Sequence, residues 1–290
     1  MRPLLYALVS GVLMSGCHAY SLNRAAPYTG PEASGFACIP VPLSRVVAPG
    51  QKSVMHIYDS SSLQVLRHAK AFSNSTYGQV VIDDEAMAER RFALLDVGSR
   101  VKILSMTPST HTDKFGGTSS SMMCEVMGIG VISPDAVLEK MPFMTIECSD
   151  DDTILQVPES ELDVEMWASK LEEAANLCET LDEVASFKGE LTQAAARGVV
   201  GKESSGPWSL SACTDQLLSL RGCPEPSDGS RLLVSALAAT CHLPGEKRYE
   251  AMQLAQAGNV VQTVDLVATA LEEEARRRLA MKALAGVSSA

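Results

Sequence analysis

The stretch from Ile39 to Asp59, IPVPLSRVVAPGQKSVMHIYD, leaves the chain few ways to fold around it. Pro40 and Pro42 keep its first residues extended, because each pyrrolidine ring clashes with an α conformation in the residue before it. An apolar pair, Val46 and Val47, leads to a Pro49-Gly50 turn. Val54, Met55, Ile57 and Tyr58 then form an apolar run long enough for a buried strand. Asp59, ahead of three serines, is placed to cap a helix with Leu63, Leu66 and Ala69 on one face. The expected order is strand, turn, strand, capped helix.

That order resembles the opening of the Lon protease N-terminal domain family. Pro42-Leu43, Ala48-Pro49-Gly50 and His56-Ile57-Tyr58-Asp59 stand where the family has a Pro-Leu-apolar strand, an apolar-Phe-Pro-Gly turn and a Leu-x-Ile-Phe-Glu strand end. The departures are Ala48 for an aromatic or Leu, Tyr58-Asp59 for Phe-Glu, and Ser60-Ser61 for Pro-Arg. Further on, Val97-Gly98-Ser99-Arg100-Val101-Lys102-Ile103 resembles the family's Val-Gly-Thr-x-apolar-x-Ile strand. Met122 to Ile132 resembles its strand ending in Gly-x-x-Arg-apolar-x-Ile, with Val131 about where that Arg is often found.

Residues 36–152 read as β-rich. Tyr77 to Ile82 is a buried strand closed by Asp83-Asp84, and Val101 and Ile103 alternate with Arg100 and Lys102 as a half-buried strand requires. Thr107 to Ser120, rich in Ser, Thr and Gly, reads as a loop. Met141 to Glu147 reads as the next strand, closing on Ser149-Asp150-Asp151-Asp152. Short strands with one early helix point to a strongly bent sheet or barrel, and the resemblance implies a PUA-like pseudo-barrel.

Residues 158–285 read as helical, so the fold class expected is α+β, a β pseudo-barrel followed by a helical bundle. Ser160 and Asp163 precede a segment whose Leu162, Met166, Trp167, Leu171, Ala174, Cys178, Leu181 and Ala185 recur at helical spacing. A Gly/Ser break from Gly198 to Gly206 follows. Trp208 to Leu220 reads as a helix stopping at Gly222-Cys223-Pro224. Ser230 to Cys241, apolar almost all round, is expected to be the most buried helix. Glu246 to Ala257 stops at Gly258, and Asn259 with Gln262 opens a last helix. Its inward stripe is Val260, Val264, Val267, Leu271, Ala275 and Leu279, and Arg276 to Arg278 read as a solvated helix end.

Residues 1–31 read as a targeting leader. Arg2 precedes an apolar run, Leu4 to Met14, too short to span a bilayer. Met14-Ser15-Gly16-Cys17 resembles a bacterial lipobox. Cleavage after Ala19 instead exposes Tyr20 and an acid-free segment, resembling the two-part leaders of algae with secondary plastids. The plastid route is preferred; a bacterial lipoprotein and simple secretion are the alternatives.

A formal net charge of -11 over 290 residues disfavours nucleic acid or anionic lipid as the main partner, since both require a cationic footprint. The eight cysteines, Cys17, Cys38, Cys124, Cys148, Cys178, Cys213, Cys223 and Cys241, contain no C-x-x-C pair. Most read as small buried hydrophobes, with a Cys213–Cys223 bridge as an option. His18, His56, His68, His111 and His242 are dispersed without metal-ligand spacing, and His56 reads as a core or rim histidine. The Cys241-His242 pair, Asp150 to Asp152 as a cation loop, and Met122, Met123 and Met127 as a binding surface all have plainer structural readings. Gly198-Val199-Val200-Gly201-Lys202-Glu203 is not a nucleotide-binding loop: its glycines are too close and Glu203 replaces the Mg²⁺-binding hydroxyl.

No catalytic, cofactor-binding or metal-binding residue is therefore assigned. The resemblance implies a non-enzymatic module that recognises exposed apolar segments of client polypeptides, through an apolar groove where sheet meets helices. An adaptor role in organelle protein quality control is its sharpest form. The alternatives are an enzyme of unrecognised type with titratable groups in a cleft between the two units, and PUA-like RNA binding.

Overall fold

The computed structural model describes residues 35–89, 91–112, 117–151, 163–186, 209–223 and 225–287. The leader, the Gly198 to Gly206 break and the capping, apolar and acidic positions Ser160, Leu162, Trp208, Pro224 and Asp152 lie outside them. So do the side chains of Asp150, Asp151, Leu181 and Ala185.

The first half carries six strands: β1 (Phe36–Val41), β2 (Lys52–Ile57), β3 (Thr76–Ile82), β4 (Leu94–Thr112), β5 (Thr118–Glu139) and β6 (Met144–Asp151). Their order is β2-β5-β4-β3-β1-β6, and β6 also pairs with β5. That extra pairing closes β5, β4, β3, β1 and β6 into a barrel, with β2 as a flap on the outer side of β5. The sheet is mixed: β1 runs parallel to β3, and the other pairings are antiparallel. Lying between β1 and β4, β3 is buried on both faces, with Tyr77, Gln79, Val80 and Val81 all out of solvent.

Helix α1 (Ser60–Phe72) starts where Asp59 predicts, its carboxylate accepting the Ser62 N–H at 2.8 Å. Leu63, Leu66 and Ala69 are buried against the barrel. Asp83 likewise caps the short α2 (Asp84–Ala88) through the Glu85 and Ala86 N–H groups.

Two β expectations need correcting. The Thr107–Ser120 loop is mostly strand, since β4 and β5 stay paired out to Thr112 opposite Thr118. Ser and Thr there satisfy each other's ladder across a polar arm with no buried face, so hydrophobic alternation gives no signal. β3 pairs with β4 only as far as Lys102, which leaves the rest of β4 an edge on which Pro108 costs no ladder bond. Met141 to Phe143 are a turn, not the start of the next strand, because Pro142 has no N–H to give a ladder.

The helices are α3 (Val164–Ser186), α4 (Leu210–Leu220), α5 (Asp228–Ala239), α6 (Gly245–Gln256) and α7 (Val260–Val287). Asp163 caps α3, accepting the Met166 N–H at 3.1 Å, and Ser209 caps α4. α5 is buried along nearly its whole length, as its composition requires. Met166 and Leu279 are exposed rather than inward. Met166 lies in the first turn of α3. Leu279 lies where α7 runs past the bundle, with Met281 and Leu284 exposed beyond it. Cys213 and Cys223 are unbridged.

The Ile39–Asp59 stretch does more than start the barrel: its middle is the plate between barrel and helices. Val46, Val47 and Ala48 are buried in the core cluster that also holds α5, α6 and α7 residues. The Val47 N–H donates to Gln79 Oε1 at 2.9 Å inside the barrel, and Gly50 and Gln51 exchange backbone bonds with Gly128 of β5. A Cβ at Gly128 would stand 2.2 Å from the Ala48 carbonyl oxygen, so only glycine lets the plate lie on the strand. Gly50, at φ +81°, turns the chain directly under Ala238 of α5. From the helical side, buried Arg248 donates to the Val46 carbonyl at 2.7 Å, and the Tyr249 hydroxyl accepts the Val97 N–H at 3.2 Å.

Candidate functional site

A shallow cavity of about 490 Å³ opens where the barrel meets the end of α4. Its cations are Arg100 and Lys102 of β4 and Arg221, the residue that ends α4. Strand geometry puts Arg100 and Lys102 on one face, since side chains two apart point the same way. Phe36, Ile129 and Leu220 supply the apolar part of the wall. The turn from α1 to β3 supplies Ser73, Asn74 and Thr76. That turn is held in the left-handed region at Asn74 (φ 47°) and Ser75 (φ 59°), with the Lys102 ammonium donating to the Asn74 carbonyl. The Arg100 guanidinium lies over the Phe36 ring, 5.1 Å from its centre.

This cavity stands where the apolar groove was expected, but its character is mixed: cationic on one wall, apolar on another. The described lining residues include no carboxylate, histidine or cysteine, so no acid–base or nucleophile pair converges there. Three cations also fall short of the footprint that a nucleic acid backbone would need.

Large apolar side chains are also exposed around the β5–β6 turn and at the end of α1. Met141 and Leu138, 65% and 46% exposed, project from the β5–β6 turn, and Phe72, 46% exposed, ends α1 just before Ser73. The buried His68 ring lies between Phe72 and the buried Phe143, 5.1 Å from one ring centre and 5.2 Å from the other. The Ser61 hydroxyl donates to the Pro142 carbonyl and fixes the turn against the start of α1.

The other residues singled out by sequence are scattered. His56 sits on the rim, its Nε2 2.7 Å from the Ser121 hydroxyl, and Tyr58 beside it stacks on His111 at 4.2 Å. His242 lies 3.9 Å from Glu179 inside the helical half and belongs to a structural network. Met127 is core, packed with Leu217, Leu218 and Val234, while Met122 and Met123 are half-buried. Of Arg276 to Arg278, the first two are solvated, 74% and 61% exposed, while Arg278 turns inward: it joins Arg277 in clasping Glu274 and donates to the carbonyls of Cys178 and His242. Burial pushes the Cys124 thiol up to about 11 and raises Cys38 further, which makes both poor nucleophiles at neutral pH. Among the described residues no group of three or more His, Cys, Asp or Glu is placed to hold a metal ion, and no helix is long and apolar enough to cross a membrane.

Comparison with protein-family models finds no match, and neither does comparison with curated proteins. Solved structures do match. One is the Lon N-terminal domain protein from Xanthomonas campestris, 15% identical, with 49% of this chain and 73% of that one covered and a TM-score of 0.35. Another is the N-terminal domain of a Mycobacterium avium complex Lon protease, 14% identical, with 81% and 97% covered and a TM-score of 0.38. Both are Lon N-terminal domains. They come from the family that the strand and turn motifs of this sequence resemble.

Proposed function

We propose that this protein is a non-catalytic module that binds exposed apolar segments of other polypeptides. The observation that supports the reading is that large apolar side chains, among them Leu138, Met141 and Phe72, are left exposed on a chain of net charge -11. Side chains of this size left in water on two neighbouring elements mark a partner surface, since each gains roughly 1.5–3 kcal/mol when covered. The resemblance of the sequence to Lon N-terminal domains implies the same activity. An adaptor role in organelle quality control, and delivery to a plastid, rest on the leader sequence. A fluorescent fusion of the intact leader tests the compartment.

Binding is tested by fluorescence anisotropy of a labelled, permanently unfolded apolar polypeptide against the chain and against the double variant Met141→Asp, Phe72→Asp. Both positions are exposed, so the fold should survive. The expected outcome is at least about a tenfold weaker complex, the equivalent of one apolar side chain left uncovered. Unchanged affinity in a folded double variant, or no binding by the parent chain, would refute the reading.

A further inference from the structure

We infer that His56 and His111 form a two-imidazole site for a late first-row divalent metal ion, of the class of Zn²⁺ and Ni²⁺. The site stands apart from the polypeptide-binding reading and does not depend on it. Its two rings come from strands on either side of β5. His56 of β2 is paired with Met123, and Thr107 of β4 faces Met123 from the other side. Residues directly opposite each other share a face of the sheet, and so do residues two apart along a strand. His56, Ser121 and His111 therefore lie on one face. There the two imidazole centres come to 5.8 Å, with the ring planes at 68°. Tyr58 completes the group, stacked on His111 at 4.2 Å and edge-on to His56 at 6.0 Å.

This spacing suits one shared ion. An imidazole nitrogen binds Zn²⁺ at about 2.0–2.1 Å, and its ring centre lies about 1.1 Å further back. Two rings on one ion therefore have centres about 6.3 Å apart at most, and about 5 Å apart at a tetrahedral angle. The observed 5.8 Å falls between these limits. In the tautomer whose Nε2–H donates to the Ser121 hydroxyl, 2.7 Å away, the Nδ1 lone pair of His56 is left for the metal. A hydrogen bond on the second nitrogen is what orients most metal-binding histidines. Ser121 is buried in the sheet and so a fixed partner, and the Tyr58 ring restrains His111 in its turn. Both histidines are at least partly in water, so an ion can enter from solvent and keep water in its remaining positions. Two protein ligands are fewer than a closed structural centre has, which makes this an open, exchangeable site. Imidazole suits Zn²⁺, Ni²⁺ and Cu²⁺, whereas Mg²⁺ takes oxygen ligands.

The test is calorimetric titration of the full chain with Zn²⁺, Ni²⁺ and Mg²⁺ near neutral pH. Zn²⁺ and Ni²⁺ should each bind once per chain through this pair, and Mg²⁺ should not. His56→Ala and His111→Ala should each weaken binding at least about tenfold, and the two losses should not add, because either one destroys the chelate. Ser121→Ala should weaken binding by about 10–100-fold with both ligands still present. No binding by the parent chain would overturn the site. So would binding that survives in a folded double histidine variant, which would put the ion on other residues. Losses that add would mean two separate one-histidine contacts and would overturn it equally. Circular dichroism checks that each variant folds, and should one single variant fail, the other gives the same discrimination.

Discussion

Replacing Arg248 by Met should loosen the joint between barrel and helices. Arg248 is 8% exposed, and its guanidinium donates to the carbonyls of Val46 at 2.7 Å and Leu243 at 3.1 Å. A third contact, Nε to the Thr240 carbonyl at 3.5 Å, is at the limit of a hydrogen bond and adds little. Hydrogen bonds from a charged donor are worth about 1.5–3 kcal/mol each, so two good ones give roughly 3–6 kcal/mol. Against this, Met ends the cost of holding a cation in the interior, the same desolvation that lowers the guanidinium's pKa. Met also keeps most of the stem packing, which removes a cavity penalty from the comparison. The balance is a loss of about 3 kcal/mol, because the carbonyls left behind stay buried without a donor. With a urea slope of about 3 kcal/mol per molar for a chain of this size, the unfolding midpoint should fall by about 1 M. Arg248→Lys should fare little better, since a single ammonium cannot reproduce the planar fork that serves both carbonyls. Circular dichroism across a urea series reads both effects. A midpoint within about 0.3 M of the parent for Arg248→Met would mean that the two bonds merely repay the burial of the charge.

Two further outcomes follow from the packing. Gly128→Ala should destabilise the chain by about 3 kcal/mol, the upper end for overpacking, because its Cβ meets a backbone oxygen that no side-chain rotation can move aside; a thermal melt that is unchanged would show that the Ala48 segment can shift. Glu274 is held below the usual carboxylate range, first by the hydrogen bond from Arg277 and then by Arg278. Its folded pKa is depressed, so its contribution is fully present above the unfolded value of about 4.3 and is lost as pH falls through the folded one. Glu274→Gln should therefore cost about 1–2 kcal/mol at pH 7, from the loss of charge-assisted bonds, and match the parent in acid. A difference that persists unchanged in acid would remove the carboxylate from the account.

What could be read from the sequence was whatever a few neighbouring residues decide. Asp59 caps a helix because a short carboxylate reaches an N–H group three residues on; Asp83, which read only as the close of a strand, does the same for α2. The β3 strand and the α5 helix were legible because burial on most sides leaves them mostly apolar. The β4–β5 arm was not, since its Ser and Thr residues are held by each other across the ladder and by no apolar face. Of the triplet Arg276 to Arg278 only Arg278 misled, for a similar reason. It looks solvated until Glu274 on one side and the carbonyls of Cys178 and His242 on the other are brought to it. The cavity fell between these cases. Alternation did place Arg100 and Lys102 together on the face away from Val101 and Ile103, but that face reads as solvent. Only the path of the chain brings the end of α4 over Gly130 and sets Arg221 beside them.

A change of function without a change of fold is open only where side chains reach solvent. The joint between barrel and helices is built from groups with no slack: Val46 to Ala48 buried, Gly128 against a carbonyl, Arg248 spent on the backbone. The cavity and the exposed apolar side chains use groups that are at least partly in water, namely Lys102, Arg221, Phe72 and Met141. Surface substitutions of that kind usually stay within about 0.5 kcal/mol in stability. Stability and ligand preference are therefore carried by different residues. Variants at Phe72 and Met141, both exposed, should shift affinity while their urea midpoints stay with the parent, whereas Arg248 and Gly128 variants should do the reverse.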